Sequence, residues 1–414
     1  MGVMQAAEKV ARESYGKLVA FLAARTGDVA GAEDALSEAF AAALAEWPVS
    51  GVPRTPEAWL LTVARRRMVD AVRHRVVADA AEPTLLLLAD ELAPDPSGEI
   101  PDDRLRLMFA CAHPALEAGV RAPLILQTVL GFDAARIASA FLVAPSAMSQ
   151  RLVRAKSRIR QAGIPFRIPD HDELPGRLDA VLQAVYACYA EGWSDPAGAC
   201  AATRGLADEA LWLGRLLAVM MPEEPEVLGL LALMLHAEAR RLARRDERGE
   251  FVPLAEQDMA RWDHAAIDEA EALLLRAAQY GRAGRFQLEA AVQSVHAARR
   301  HGAGADWPAT DWLAIMALYD ALLALTGSVV VVINRAAALA NIDARAGLAE
   351  LDKLCSDARV AQYQPYWAAR AALLARAGRS KEAAHAYQQA IGLEAEPALR
   401  RYLQRQMDQL NPER

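Results

Sequence analysis

Apolar residues recur along almost the whole chain at the three-and-four spacing of helices, and the alternation of half-buried strands is nearly absent. Ala and Leu dominate, both strong helix formers, while Gly and Pro fall mostly between the periodic segments. One β-branched run, SVVVVINRAAALA at 328–340, leads straight into an Ala-rich stretch and reads as a buried helix start with Ser328 near its cap. The expected fold class is all-α. The 414 residues leave room for two or three domains of roughly 100–200 residues each. A hydrophobic content of 54% is too apolar for a disordered chain.

Two breaks divide the periodic pattern. Residues 78–103 carry Pro83, Pro94, Pro96 and Pro101 and eight acidic residues, with no Lys or Arg between Val76 and Asp103. The second break is the Pro-rich segment IPFRIPDHDELPG at 164–176. The expected organisation is therefore a helical block over 1–77, an acidic linker over 78–103, a second block over 104–164, a connector over 165–176 and a long helical region over 177–414. The formal charge of −7 argues superficially against a nucleic-acid binder. Residues 1–164, however, hold 19 basic and 19 acidic residues, so the whole acidic excess belongs to the C-terminal region. Within the neutral part Arg151, Arg154, Lys156, Arg158 and Arg160 cluster with no acid between Ser146 and Arg160.

The four cysteines, Cys111, Cys188, Cys200 and Cys355, show no CxxC spacing, so a reduced, cytoplasmic setting is expected. The first residues have no signal-like apolar core. No apolar run approaches the ~20 residues of a membrane span, so no membrane partner is expected.

The sharpest motif is FDAARIASAFLVAPSAMSQRLVRAKSRIRQAG at 132–163. It reads as a short helix with Ile137 and Phe141 inward, a turn, and a second helix opening at Pro145, a favoured first position. Met148, Leu152, Ala155 and Ile159 share one face of that helix, and Ala147, Arg151, Arg154 and Arg158 share the opposite one. One apolar and one cationic stripe suit a helix-turn-helix reader, whose first residues meet base edges while flanking cations hold phosphates. A solvated basic helix of a bundle has the same pattern. A second basic helix is expected over PEAWLLTVARRRMVDAVRHR at 56–75. Leu61, Ala64, Met68 and Val72 form its apolar stripe, with Thr62, Arg66, Asp70 and Arg73 on another face. Trp59 reads more readily as a core anchor than as a platform for stacked bases.

These two blocks, in this order and joined by an acidic Pro-rich linker, resemble an extracytoplasmic-function type sigma-70 family RNA polymerase sigma factor. SYGKLVAFLAARTGDVAGAEDALSEAFAAALAEW at 14–47 with TPEAWLLTVARRRMVDAVRHR at 55–75 resembles region two. Residues 102 onward resemble region four, ending in Arg151-Leu152-Val153-Arg154-Ala155-Lys156. Departures from the family pattern are Ser37, Arg66, Leu142 and Ala144. CAHPAL, AGIPFRIP, LLALMLHAEARR and PLAEQDMARWD extend the likeness to a subgroup with a long C-terminal extension similar to tetratricopeptide repeats. One 34-residue unit fits that pattern, with Trp367, Gly378, Ala383, Tyr387 and Ala390 at its small and aromatic positions.

The resemblance implies two small helical sigma domains, region two and a region-four helix-turn-helix, followed by a helical-repeat domain. It implies core RNA polymerase and promoter DNA as partners, with nucleoid association when polymerase is bound. Asp34, Leu36, Glu38 and Phe40 would contact polymerase, and for Phe40 a core role is the plainer reading. Arg65, Arg66, Arg67, Asp70 and Arg73 would engage the upstream −10 element. Ser146, Ala147, Gln150, Arg151, Arg154, Lys156 and Arg158 would read the −35 element. The linker acids would either occupy the nucleic-acid path or serve as a solvated spacer. The C-terminal region, whose Trp residues read mostly as core, would regulate the head or bind a protein partner. Two other readings stay open: a helix-turn-helix regulator with a helical sensor domain, and a helical-repeat scaffold that binds no DNA. No catalytic constellation, metal-ligand spacing or cofactor loop emerges, and Cys111 with His113 reads as core cysteine and structural histidine.

Overall fold

The computed structural model describes residues 3–75, 102–141, 143–170, 172–194, 205–298, 311–357 and 359–410. Among these residues the chain is helical with no strand, only an isolated bridge between Arg245 and Phe251. The all-α expectation holds. Two compact units emerge, Met1–Cys188 and Tyr189–Arg414.

In the first unit, α1 (Val3–Thr26), α2 (Val29–Ser50) and α3 (Pro56–Arg75) pack together. The turn between α1 and α2 uses Gly27 at φ 66°, a left-handed conformation that a Cβ would disfavour. Asp28 then caps α2, its carboxylate accepting the Gly31 amide at 3.0 Å. The helix repeat puts Val29, Ala32, Ala35, Leu36, Ala39, Ala43 and Trp47 on the buried side of α2. Trp47 meets the half-buried Trp59 edge-on, ring centroids 5.5 Å apart. From α3, Leu60, Leu61, Ala64 and Met68 complete this core; the Val72 side chain lies outside the described residues.

After the linker, which lies almost wholly outside the described residues, come α4 (Arg104–Cys111), α5 (Ala118–Thr128), α6 (Ala134–Ala140) and α7 (Pro145–Gln161). Leu107 to Cys111 are wholly buried, which makes α4 a core element despite its two turns. Cys111 touches Thr128 at 3.5 Å, and burial pushes its thiol pKa up to about 12. The connector is pinned by arginines: Arg121 donates to the carbonyls of Pro114, Leu116 and Gly176, and Arg177 donates to Glu173. The next helix, α8 (Pro175–Ser194), contains the division between the units.

The second unit contains α9 (Leu206–Met220), α10 (Pro225–Glu238), α11 (His264–Ala278), α12 (Arg285–Ala297), α13 (Trp312–Thr326), α14 (Val329–Leu339), α15 (Ala344–Asp352), α16 (Gln364–Arg376), α17 (Ser380–Leu393) and α18 (Pro397–Asp408). Successive helices pack on one another, and α10 is buried nearly all round between α11 and α12. The run at 328–340 is indeed a helix, with Ser328 at its N-cap and Val331 and Ile333 buried. Gly378, at φ 74°, turns α16 into α17, and Ala371, Leu374, Ala383, Ala386, Tyr387 and Ala390 fill the seam between them. Among the described Trp residues of this unit only Trp262 is buried, which corrects the expectation that they are mostly core: Trp212 is 43% exposed and Trp193, Trp312 and Trp367 are half-buried, while Trp307 lies outside the described residues.

A strap between α10 and α11, residues 241–262, reaches the last helix. Arg245 donates to Glu396 at the head of α18. Glu250 accepts Arg401 and Arg405 at 2.7 Å each, and Phe251 meets Tyr402 edge-on at 5.3 Å. Among the described residues no helix is long and apolar enough to cross a membrane.

Candidate nucleic-acid interface

The helix-turn-helix is built by local rules. Gly131 at φ 70° ends the previous segment, and Asp133 accepts the Arg136 amide at 2.9 Å as α6 begins. Between α6 and α7 the Val143 amide returns to the Ala138 carbonyl at 2.9 Å. Ala144 offers no side-chain cap to α7, and Pro145 starts it. Leu142 lies outside the described residues.

Along α7, Met148, Leu152, Ala155 and Ile159 are all buried. Ser146, Gln150, Arg154 and Arg158 are exposed, and Ala147 and Arg151 are half-buried at the border of the two faces. The Arg154 guanidinium leans back to the Gln150 carbonyl at 3.3 Å. The free side therefore carries a graded set: short polar side chains near the N-terminus, then three arginines along one stripe. Peptide dipoles add positive potential at the N-terminal end, where a phosphate or base edge would meet it. Lys156 differs, being only 13% exposed and paired with Glu33 of α2.

The basic residues of α3 divide in the same way. Arg66 and Asp70 are exposed, and Arg67 pairs with Glu38 of α2 at 3.2 Å, both side chains more than half exposed. Arg65 turns inward, its guanidinium 5.4 Å from the Phe21 ring that Arg25 covers at 3.5 Å. Burial and the neighbouring Arg25 charge lower its pKa. The Arg73 side chain lies outside the described residues.

On α2, Asp34 and Glu38 face solvent, Phe40 is half-buried and Leu36 is wholly buried. Asp34 and Glu38 stand one turn apart, so two carboxylates share one exposed stripe. The structure thus brings α2 and α3 together through Glu38 and Arg67. It also brings α2 and α7 together through residues with no local sequence signal: Asp28 and Glu33 lie more than 120 positions from Arg160 and Lys156. Among the described residues no three His, Cys, Asp or Glu side chains gather as a metal-binding group. His113 accepts the Ala115 amide through Nδ1, a turn-forming contact.

Comparison with known proteins places this geometry. Residues 10–76 match Sigma-70 region 2, which covers α1 to α3, and residues 177–278 match a family of unknown function, DUF6596. The chain is 40% identical over 393 residues to "Uncharacterized protein R00370" of Rhizobium meliloti (strain 1021), covering 92% of this chain and 90% of that protein. No solved structure matches the chain. With region two formed by α1 to α3 and a helical extension behind it, the chain belongs to the sigma-70 family of sigma factors.

Proposed function

We propose that the chain is an extracytoplasmic-function type sigma factor acting in the cytoplasm, which binds core RNA polymerase and directs it to a promoter. Residues 1–77 serve as region two, 78–103 as the linker, 104–164 as region four and 177–414 as a regulatory domain similar to tetratricopeptide repeats. Asp34 and Glu38 offer carboxylates for charge-assisted bonds to a basic surface of polymerase, Phe40 adds its open edge, and Leu36 holds the helix that presents them. Arg66, Arg67, Asp70 and Arg73, supported by Arg65, engage the unpaired upstream strand of the −10 element. Ser146, Ala147, Gln150 and Arg151 lie where a recognition helix meets base edges, and Arg154, Lys156 and Arg158 where it holds phosphates. The acidic C-terminal unit recruits a protein partner or restrains the head, and its like charge to DNA limits nonspecific binding.

The single observation that carries this reading is the split of α7 into a fully buried apolar face and an exposed polar and arginine face, beside a region-two match. Promoter-specific transcription in vitro with core polymerase tests it, comparing the intact chain with Arg151→Ala and Arg66→Ala. Both variants should initiate about five- to 150-fold less, since removing a bidentate base contact alone costs about 1–3 kcal/mol. An intact chain that supports no specific initiation from its own promoter overturns the reading.

A further inference from the structure

Residues 240–245 read Arg-Arg-Leu-Ala-Arg-Arg directly after α10, and their four arginines divide into two kinds. Arg241 pairs with Glu238 at 2.7 Å, and Arg245 pairs with Glu396. Arg240 and Arg244, four positions apart, meet only neutral acceptors among the described residues. Arg240 donates to the His236 carbonyl at 3.2 Å and to the side-chain oxygen of Gln293 on α12. Arg244 donates to the Trp193 carbonyl at 2.8 Å and stands over the Trp193 ring, 3.5 Å from its centroid. Four cations against two carboxylates leave this corner of the second unit with a surplus of positive charge.

That surplus is withdrawn from water. Burial, joined at Arg244 by the charges of Arg245 and Arg240, lowers both guanidinium pKa values to about 10, so both stay protonated at neutral pH. A cation held away from water is costly unless a counter-charge stands beside it. Capping of α10 explains part of the arrangement: Arg240 takes the His236 carbonyl, and Trp193 Nε1 takes that of Ala237 at 3.2 Å. It does not explain the rest of either fork. Arg240 Nη1 and Arg244 Nε and Nη2 bond to nothing among the described residues, and none of these nitrogens is sealed from solvent. Gln293 and Trp193 fix where the two guanidinium groups stand, so little ordering is left to be done when an anion arrives.

We propose that Arg240 and Arg244, held by Gln293 and Trp193, form a binding site for a phosphoryl dianion, carried as the free ion or on a small organic phosphate. Near neutral pH a phosphoryl group bears close to two negative charges on three oxygens. Each guanidinium offers its unused N–H groups to a pair of those oxygens, and the two cations match the charge. A single carboxylate satisfies one fork and leaves the other unmatched. All four residues belong to the second unit, so the site stands whether or not the sigma-factor reading holds.

Calorimetric titration of the full-length chain at constant ionic strength, with inorganic phosphate and adenosine monophosphate as probes, tests the site. We expect a dissociation constant of about 1 mM or tighter for at least one probe. Arg240→Gln and Arg244→Gln should each weaken binding about tenfold or more, because each removes hydrogen bonds to a charged group. Arg244→Lys, which keeps the charge without the fork, should recover only part of that loss. Arg248→Gln, at an exposed position of the strap, should change binding less than about twofold. Tighter binding of adenosine monophosphate assigns the site to an organic phosphate, and equal affinity assigns it to the free ion. An arginine-selective dicarbonyl reagent, read by peptide mass spectrometry, tests the wild-type chain without any substitution. Phosphate should protect Arg240 and Arg244 from labelling and leave Arg248 labelled as before. Should a glutamine variant fail to fold, this protection experiment decides alone. The proposal is overturned if neither probe binds the wild-type chain, or if binding survives both glutamine substitutions in folded protein. It is equally overturned if phosphate protects Arg248 as much as Arg240 and Arg244, which is the behaviour of general charge screening.

Discussion

Leu36→Ala separates packing from partner contact on a single helix. Leu36 is wholly buried on the same face of α2 as Ala32, Ala39 and Trp47, while Asp34 and Glu38 point to solvent. Truncation removes about three carbons, worth about 2.4 kcal/mol at roughly 0.8 kcal/mol per buried CH₂. A residual cavity raises the cost, giving about 3 kcal/mol in all, near the low end of measured buried Leu→Ala changes. Because the chain has two units, a single unfolding midpoint would blur the effect. Native-state hydrogen exchange of the α2 amides reads it locally, and about 3 kcal/mol corresponds to roughly 100-fold faster exchange through unfolding of the α1–α3 block. The amides of α16 and α17, in the other unit, should not change. Affinity for core polymerase, measured where the variant is still folded, should fall less than that of an Asp34 variant. Unchanged exchange in α2 together with a large loss of polymerase affinity would refute the assignment of Leu36 to the core.

The complementary substitution, Asp34→Ala with Glu38→Ala, should alter stability by less than about 1 kcal/mol in a melt, because the pair Glu38 makes with Arg67 is exposed. The same double variant should weaken polymerase binding at least tenfold in a pull-down titration. Arg154→Ala should weaken promoter binding by the polymerase complex about equally across sequences and lower its salt slope by about one, measured by anisotropy at several salt concentrations. At pH 8.5 an alkylating reagent should label the exposed Cys355 in the native chain and Cys111 only after denaturant, as read by peptide mass spectrometry. Burial raises the Cys111 pKa to about 12, so the protonated thiol is retained on folding. Its contribution to stability is complete below the ordinary thiol range and is lost as pH climbs towards that value.

Helix identity and buried faces were legible because they follow from a local repeat. Met148, Leu152, Ala155 and Ile159 occupy the inner face of α7 as their spacing requires, and Ser328 stands at the N-cap position of α14, though its hydroxyl bonds no amide of the first turn. The division of roles among neighbouring arginines was not legible. Arg65, Arg66 and Arg67 are identical in type and adjacent in sequence, yet one turns to Phe21, one faces solvent and one pairs with Glu38. Rotation by 100° per residue separates them, and only the neighbours contributed by α1 and α2 decide what each meets. Lys156 shows the same limit: its helical position reads as part of a cationic face, and its partner Glu33 lies 123 positions away. Gly16, with neither Pro nor another Gly nearby in sequence, carried no turn signal at all. Its meaning comes from the backbone of Val129, whose carbonyl oxygen an added Cβ would meet at 1.8 Å.

The strap over 241–262 has a consequence for how the chain is made. Its partners on α18 lie 151 to 155 residues downstream, so the pairs of Arg245 and Glu250 need almost the whole second unit to be synthesised first. At about 5–20 residues per second, the emerging strap waits roughly 8–30 s for its last helix. An open-ended helical array can be shortened one unit at a time, since each repeat leans only on its neighbour. Here the twelve-residue helix α18 is also what closes the strap far upstream. A premature stop that removes it therefore leaves Glu250 and Phe251 without these partners, and loosens the strap between α10 and α11 as well as the end of the unit.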